Sequence, residues 1–128
     1  MDQPFWHKQT KDNPLYPEMQ WSRPENKLYA GKLLIIGGNA FGFSGVATAY
    51  SETGRAGIGV RRVLLPDTLK RTVGVLIEDG EFAPSTPSGS FAQKALSDAL
   101  TLASWADGIL LPGDLGRNAE TAIFVEKL

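Results

Sequence analysis

The hydrophobic pattern of this chain changes period several times, and the changes divide it into elements. Lys32 to Gly37 reads KLLIIG, a continuous apolar run closed by a glycine pair, as expected of a strand buried on both faces of a parallel sheet. From Ser44 the period lengthens. Val46, Ala49, Tyr50 and Thr53 recur at helical spacing, with Ser44 placed to cap the helix start and Gly57 to stop it. Val60 to Leu65 predicts a second short strand, and Pro66-Asp67-Thr68 opens a brief helix reaching Val73. Val75, Leu76 and Ile77 predict a third strand, and the following DGEFAPSTPSGS has the Asp, Gly, Pro and Ser density of a loop. Phe91, Ala92, Ala95, Leu96, Ala99, Leu100 and Ala103 mark one face of a long helix. Ile109 to Leu111 predicts a fourth strand, followed by the turn PGDLGRN and a helix from Asn118 to Leu128.

Strands alternating with helices of this length predict a three-layer αβα domain with a mostly parallel, doubly wound sheet over residues 31–128. Residues 1–30 differ. They carry Pro4, Pro14, Pro17 and Pro24 without a sustained period and read as an irregular arm, whose Phe5, Trp6, Leu15, Tyr16 and Trp21 are expected to pack on the domain or on a neighbouring subunit.

Composition narrows the choice of ligand. With 42% apolar and 21% charged residues over 128 positions, the chain has the material for one core. Thirteen basic against fourteen acidic residues leave a net charge of −1, so the basic field that drives binding to nucleic acid or anionic membranes is missing and small polar metabolites are expected instead. The absence of cysteine excludes disulfides, thiolate metal sites and Cys nucleophiles. His7, in the arm, is the only histidine, which rules out a His-based triad or a multi-histidine metal site. No basic-then-apolar leader opens the sequence and no apolar run approaches the ~20 residues that span a bilayer, so a cytoplasmic protein is predicted.

In an open α/β sheet, ligands bind beyond the carboxyl ends of the strands, where loops enter helix N-termini. Two loops are predicted there. The first, Gly37 to Gly45 (GGNAFGFSG), allows close backbone approach and leads into a helix start whose free amides favour an anion. It lacks the G-x-G-x-x-G of dinucleotide folds and the lysine of a P-loop, since no Lys occurs between Lys32 and Lys70. The second runs from Pro112 to Asn118. Here Gly113 and Gly116 free the backbone, Asp114 is placed to accept from a ribose or amide, Arg117 to hold a phosphate, and Asn118 to cap the last helix. Other polar residues have simpler readings. Arg61 and Arg62 suit an edge or snorkelling pair, Glu120 and Glu126 a solvated helix face, with Glu120 also suited to the helix start, and Ser85, Thr86, Ser88 and Ser90 turn chemistry.

LLIIGGNAFGFSG, followed by a helix and RAGIGV, resembles the opening strand, glycine loop, helix and Arg-Ala-Gly-x-Gly turn of the NAD(P)H-hydrate dehydratase family, within the ribokinase-like carbohydrate kinases. ADGILLPGDLGRNAETA resembles that family's Ala-Asp strand and Gly-Leu-Gly-Arg loop, so the likeness runs from Arg23 to Leu128. The resemblance implies a ribokinase-like fold and an enzyme that repairs hydrated NADH or NADPH, phosphorylating the ring hydroxyl with ATP or ADP, accompanied by magnesium, and then eliminating phosphate. It implies that Gly38, Asn39 and Gly45 from the first loop, and Asp114, Gly116 and Arg117 from the second, contact substrate and nucleotide. Asp114 stands where the family has glycine, Gly113 where it has proline, and RPENKLYAGK lacks the histidine found before the first strand. The family's phosphate-donor loop and hydroxyl-activating aspartate lie in a second half with no counterpart here. The chain is therefore expected to be a fragment, or a half-domain completed by another copy or a partner, and inactive by itself. Two further expectations are a ribokinase-like kinase for a sugar or vitamin precursor, and a non-catalytic nucleotide-binding or assembly module.

Overall fold

The structure is a computed structural model that describes residues 5–20, 29–74, 76–78 and 80–128. Four strands, β1 (Lys32–Ile36), β2 (Val60–Pro66), β3 (Gly80–Ala83) and β4 (Gly108–Leu110), alternate with helices α1 (Ser44–Arg55), α2 (Lys70–Val73), α3 (Leu96–Trp105) and α4 (Ala119–Lys127). The sheet order is β3-β2-β1-β4 and every pairing is parallel, with Leu34 opposite Arg62 on one side and Ile109 on the other. The parallel βαβ reading of β1, α1 and β2 is thereby met. After β3 the chain crosses over β2 and β1 to add β4 beyond them, so the direction of strand addition reverses between β1 and β4.

Alternate residues of the central strands feed two cores. Leu34, Ile36 and Leu64 pack with Phe91, Ala95, Ala99, Leu102 and Phe124. Ile35, Val63 and Leu65 pack with Val46 of α1, Leu69 just before α2, Val73 of α2 and Ile77 of the turn after it. Burial of β1 and β2 on both faces accounts for their apolar runs. The two arginines on β2 are satisfied within this arrangement. Arg61 lies over the Tyr50 ring at 4.0 Å and Arg62 over Trp105 at 4.4 Å, on an interior strand instead of the edge that the sequence suggested.

Gly57 ends α1 as predicted. Its φ is +94°, and the amides of Gly57 and Ile58 return to the carbonyls of Gly54 and Thr53, both at 3.2 Å, which satisfies two helix-end acceptors. At α4, Asn118 is the expected cap, its side chain accepting from the Glu120 amide at 2.8 Å. Phe91 and Phe124 stack with ring centroids 4.9 Å apart, and Thr121 donates to the Phe91 carbonyl at 2.7 Å. These contacts seat the first turn of α4 on the loop that precedes α3.

Three expectations need correction. The third strand is Gly80–Ala83, inside the segment read as a loop, whereas Leu76 and Ile77 lie in a turn whose amides both return to the Val73 carbonyl. Val75 lies outside the described residues. Ile77 is buried through that turn, so its hydrophobicity serves the core without strand pairing. On α3 the buried residues are Ala99 and Leu102, with Ala95 buried just before the helix, while Leu100 is exposed. In the arm, Phe5, Trp6, Leu15 and Tyr16 are exposed, which removes packing on the domain and leaves the expected packing on a neighbouring subunit untouched; Trp21 lies outside the described residues. Among the described residues no helix is long and apolar enough to cross a membrane.

Candidate functional site

Because all four strands are parallel, the loops after β1, β2, β3 and β4 emerge at one end of the sheet, and the β1–β4 reversal is where such sheets open a crevice. The two glycine loops flank that reversal and are bonded to one another. The Gly38 amide donates to the Gly113 carbonyl at 3.4 Å, and the Asn39 side-chain amide to the Asp114 carbonyl at 2.7 Å. Gly37 has a packing reason to be glycine: a Cβ there would lie 2.7 Å from the Gly113 carbonyl oxygen and 2.9 Å from Val46 Cγ2.

Asp114 holds the pair together most directly. Its Oδ2 accepts from the Gly45 amide at 2.7 Å, and Gly45 is the second residue of α1, one of the amides left unpaired at any helix start. Ser44, expected to cap this helix, is its first residue, and no side chain at the cap position bonds the helix. A carboxylate from a loop 69 positions away in sequence therefore does the capping, with the charge sign that the helix dipole favours. Asp114 pays for that reach with φ of 57°, a left-handed conformation costing roughly 1–2 kcal/mol for most residues and least for Asp, Asn and Gly. Of the two donors expected for Asp114, a ribose hydroxyl or an amide, the structure supplies an amide of the chain itself.

On the other side of the loops lies an open cleft of about 480 Å³, lined by Asn39, Phe41, Ser88, Ser90, Gly116, Arg117 and Asn118. Its size is that of a small-molecule site. Of the six residues the sequence singled out, Asn39, Gly116 and Arg117 line it. Gly38 sits behind, where a Cβ would press on Leu65 and Leu69 at 3.1 Å, and Gly45 and Asp114 form the clasp described above. Ser88 and Ser90, assigned to turn chemistry, do both jobs. The Ser90 amide donates to Thr86 Oγ1, Ser88 Oγ accepts from the Asn118 side chain at 2.9 Å, and both serines reach the cleft. Phe41 was not anticipated. The only signal for it is an aromatic residue inside a glycine loop, where no helical or strand period would bury it.

The chemistry on offer is limited and specific. Among the described residues the cleft lining contains hydroxyls, amides and one guanidinium, and neither a carboxylate nor an imidazole. The carboxylates carried by the surrounding loops are engaged: Asp114 with Gly45, Glu120 with the Gln93 amide at 3.0 Å, and Asp67 with the Ser85 hydroxyl. Arg117 is exposed and has no ion pair or hydrogen bond among the described residues. Among the described residues no group of three or more His, Asp or Glu is arranged to hold a metal ion, and the cleft lining carries no carboxylate to meet magnesium. A second cavity, of about 540 Å³, runs along α1 between Phe43, Tyr50, Gly54 and Ile77, but its two cations are committed, Arg61 to Tyr50 and Arg55 to Glu52.

The fold and this crevice define a parallel α/β protein with a cleft of mixed aromatic and polar lining at the strand-order reversal. No protein-family model matches the chain, and no curated protein matches it significantly.

Proposed function

We propose that this chain is the nucleotide-contacting part of a ribokinase-like, NAD(P)H-hydrate dehydratase-like enzyme of the cytoplasm, with the cleft between the glycine loops as its ligand site. One observation carries the reading: the two motifs that resemble that family, far apart in sequence, meet at the β1–β4 reversal and share the Asn39–Asp114 and Gly45–Asp114 bonds. The lining suits recognition better than chemistry. Arg117 supplies a planar, permanently charged fork for a phosphate of ATP, ADP or the hydrated dinucleotide, and Asn39, Ser88 and Asn118 bring amide and hydroxyl groups to the same cleft. Lacking a general base in that lining, the chain by itself is expected to bind without turning over hydrated NADH.

A second reading, in which the chain is a nucleotide-binding or assembly module completed by another copy or by a partner, draws on β4. Among the described residues that strand pairs only with β1, and Ile109, Leu110 and Leu111 are exposed beside the edge this leaves. Calorimetric titration with ADP and with NADPH hydrate tests the main reading. Binding that weakens about ten- to a hundredfold in Arg117→Ala is expected, from loss of a charge-assisted contact of ~1.5–3 kcal/mol. Binding unaffected by that substitution, or turnover of hydrated NADH by the purified chain, would contradict it.

A further inference from the structure

Four consecutive amides at the tip of the first glycine loop are all bonded. Asn39 donates to the Gly42 carbonyl at 2.9 Å and Gly42 returns the bond at 3.1 Å. Ala40 donates to the Gly89 carbonyl at 2.8 Å and Phe41 to Asn39 Oδ1 at 2.8 Å. The tip is therefore built and held, yet it carries a phenylalanine that is 92% exposed. That ring lines the same cleft as Arg117, with the Ser88 and Asn118 side chains also on its walls. Across the clasp, the Asp114 carboxylate already occupies the α1 helix start, so a second phosphoryl group would meet negative charge there.

We propose that the cleft takes a nucleoside monophosphate unit, its base stacked on Phe41, its ribose hydroxyls among Ser88 and Asn118, and its single phosphate on Arg117. This rests on the reading of the cleft as a nucleotide site and adds to it the group that holds the base. The loop backbone that carries the ring is fixed before the ligand arrives, so only the side-chain rotamer of Phe41 has to be ordered on binding. Stacking on an aromatic face accepts any planar base, and the function proposed above offers two, adenine and nicotinamide, as sources of one chemistry.

The test titrates adenosine monophosphate and nicotinamide mononucleotide separately into the native chain and into Phe41→Ala, Phe41→Leu, Phe41→Trp and Arg117→Ala. Heats are measured together with the proton spectrum of each ligand. Because the Phe41 side chain is almost entirely in water, none of its replacements threatens the fold. Supporting results are a loss of about tenfold or more in Phe41→Ala and Phe41→Leu, retention in Phe41→Trp, and upfield shifts of the ring protons that vanish in Phe41→Ala. The probe showing this pattern with the higher affinity names the base. Equal affinity of Phe41→Ala and native chain, with Arg117→Ala weakened, would overturn the role of Phe41 and leave the nucleotide reading standing. No binding of either probe to the native chain would remove both. A native chain that self-associates in sedimentation, and is monomeric as Phe41→Ala, would assign the ring to contacts between copies and overturn the proposal.

Discussion

The two sides of the paired glycine loops are built in opposite ways. On the clasp side Gly37, Gly38, Gly45, Gly113 and Asp114 touch one another closely, and the carboxylate of one loop caps the helix of the other. On the cleft side, a few residues along the same loops, Phe41 and Arg117 present a ring and a charge to solvent with no partner among the described residues. The glycine content, which alone suggests phosphate approach, is used at Gly37 for loop-to-loop packing. In the function proposed above, recognition falls to the side chains that face the cleft.

If this division is right, substitutions on the clasp side alter stability and those on the cleft side alter binding alone. The largest effect is expected at Gly37. Its missing Cβ would fall within 3 Å of both a backbone carbonyl oxygen and the buried Val46, so Gly37→Ala should lower the free energy of urea unfolding by about 1–3 kcal/mol. An unchanged midpoint would mean that the loops separate easily.

Asp114 follows. Asp114→Ala removes the cap bond to Gly45 and keeps the left-handed backbone, with an expected loss of about 1–2 kcal/mol. Asp114→Gly loses the same bond but avoids the roughly 1–2 kcal/mol of left-handed strain that alanine meets there, against up to about 1 kcal/mol of extra freedom in the unfolded chain. It should therefore be the milder of the two. Asp114→Asn, which keeps an acceptor and tolerates the conformation, should be milder still, and the reverse order would show that the carboxylate does not cap α1. The smallest effects belong to Phe41→Ala and Arg117→Ala, whose unfolding should stay within about 0.5 kcal/mol of the native chain. A larger shift would place them in the scaffold.

The layout of this site was readable to the extent that it rests on local pattern. Apolar runs located β1 and β2, helical spacing and Gly57 bounded α1, and Asn118 marked the start of α4. Together these place both glycine loops at one end of a parallel sheet. β3 was misplaced because Val75-Leu76-Ile77 has strand-like composition, whereas Gly80–Ala83 pairs with β2 using residues typical of loops. The role of Asp114 was out of reach for a different reason. Its flanking glycines marked it as an acceptor, but that its donor is an amide 69 positions earlier depends on the order of strands, which no local period encodes. Ser44 illustrates the same limit from the other end of that bond: a good capping residue stood at the right place and the fold supplied another cap.

Entry of a nucleotide between Phe41 and Arg117, as proposed, is read out by amide-resolved NMR of the isotopically labelled chain during titration with adenosine monophosphate. Saturable shifts are expected at residues 39–42, 88–90 and 116–118, with the amides along α1 near Tyr50 and Gly54 unmoved. Shifts confined to the α1 cavity, or no saturable shift in either region, would contradict it.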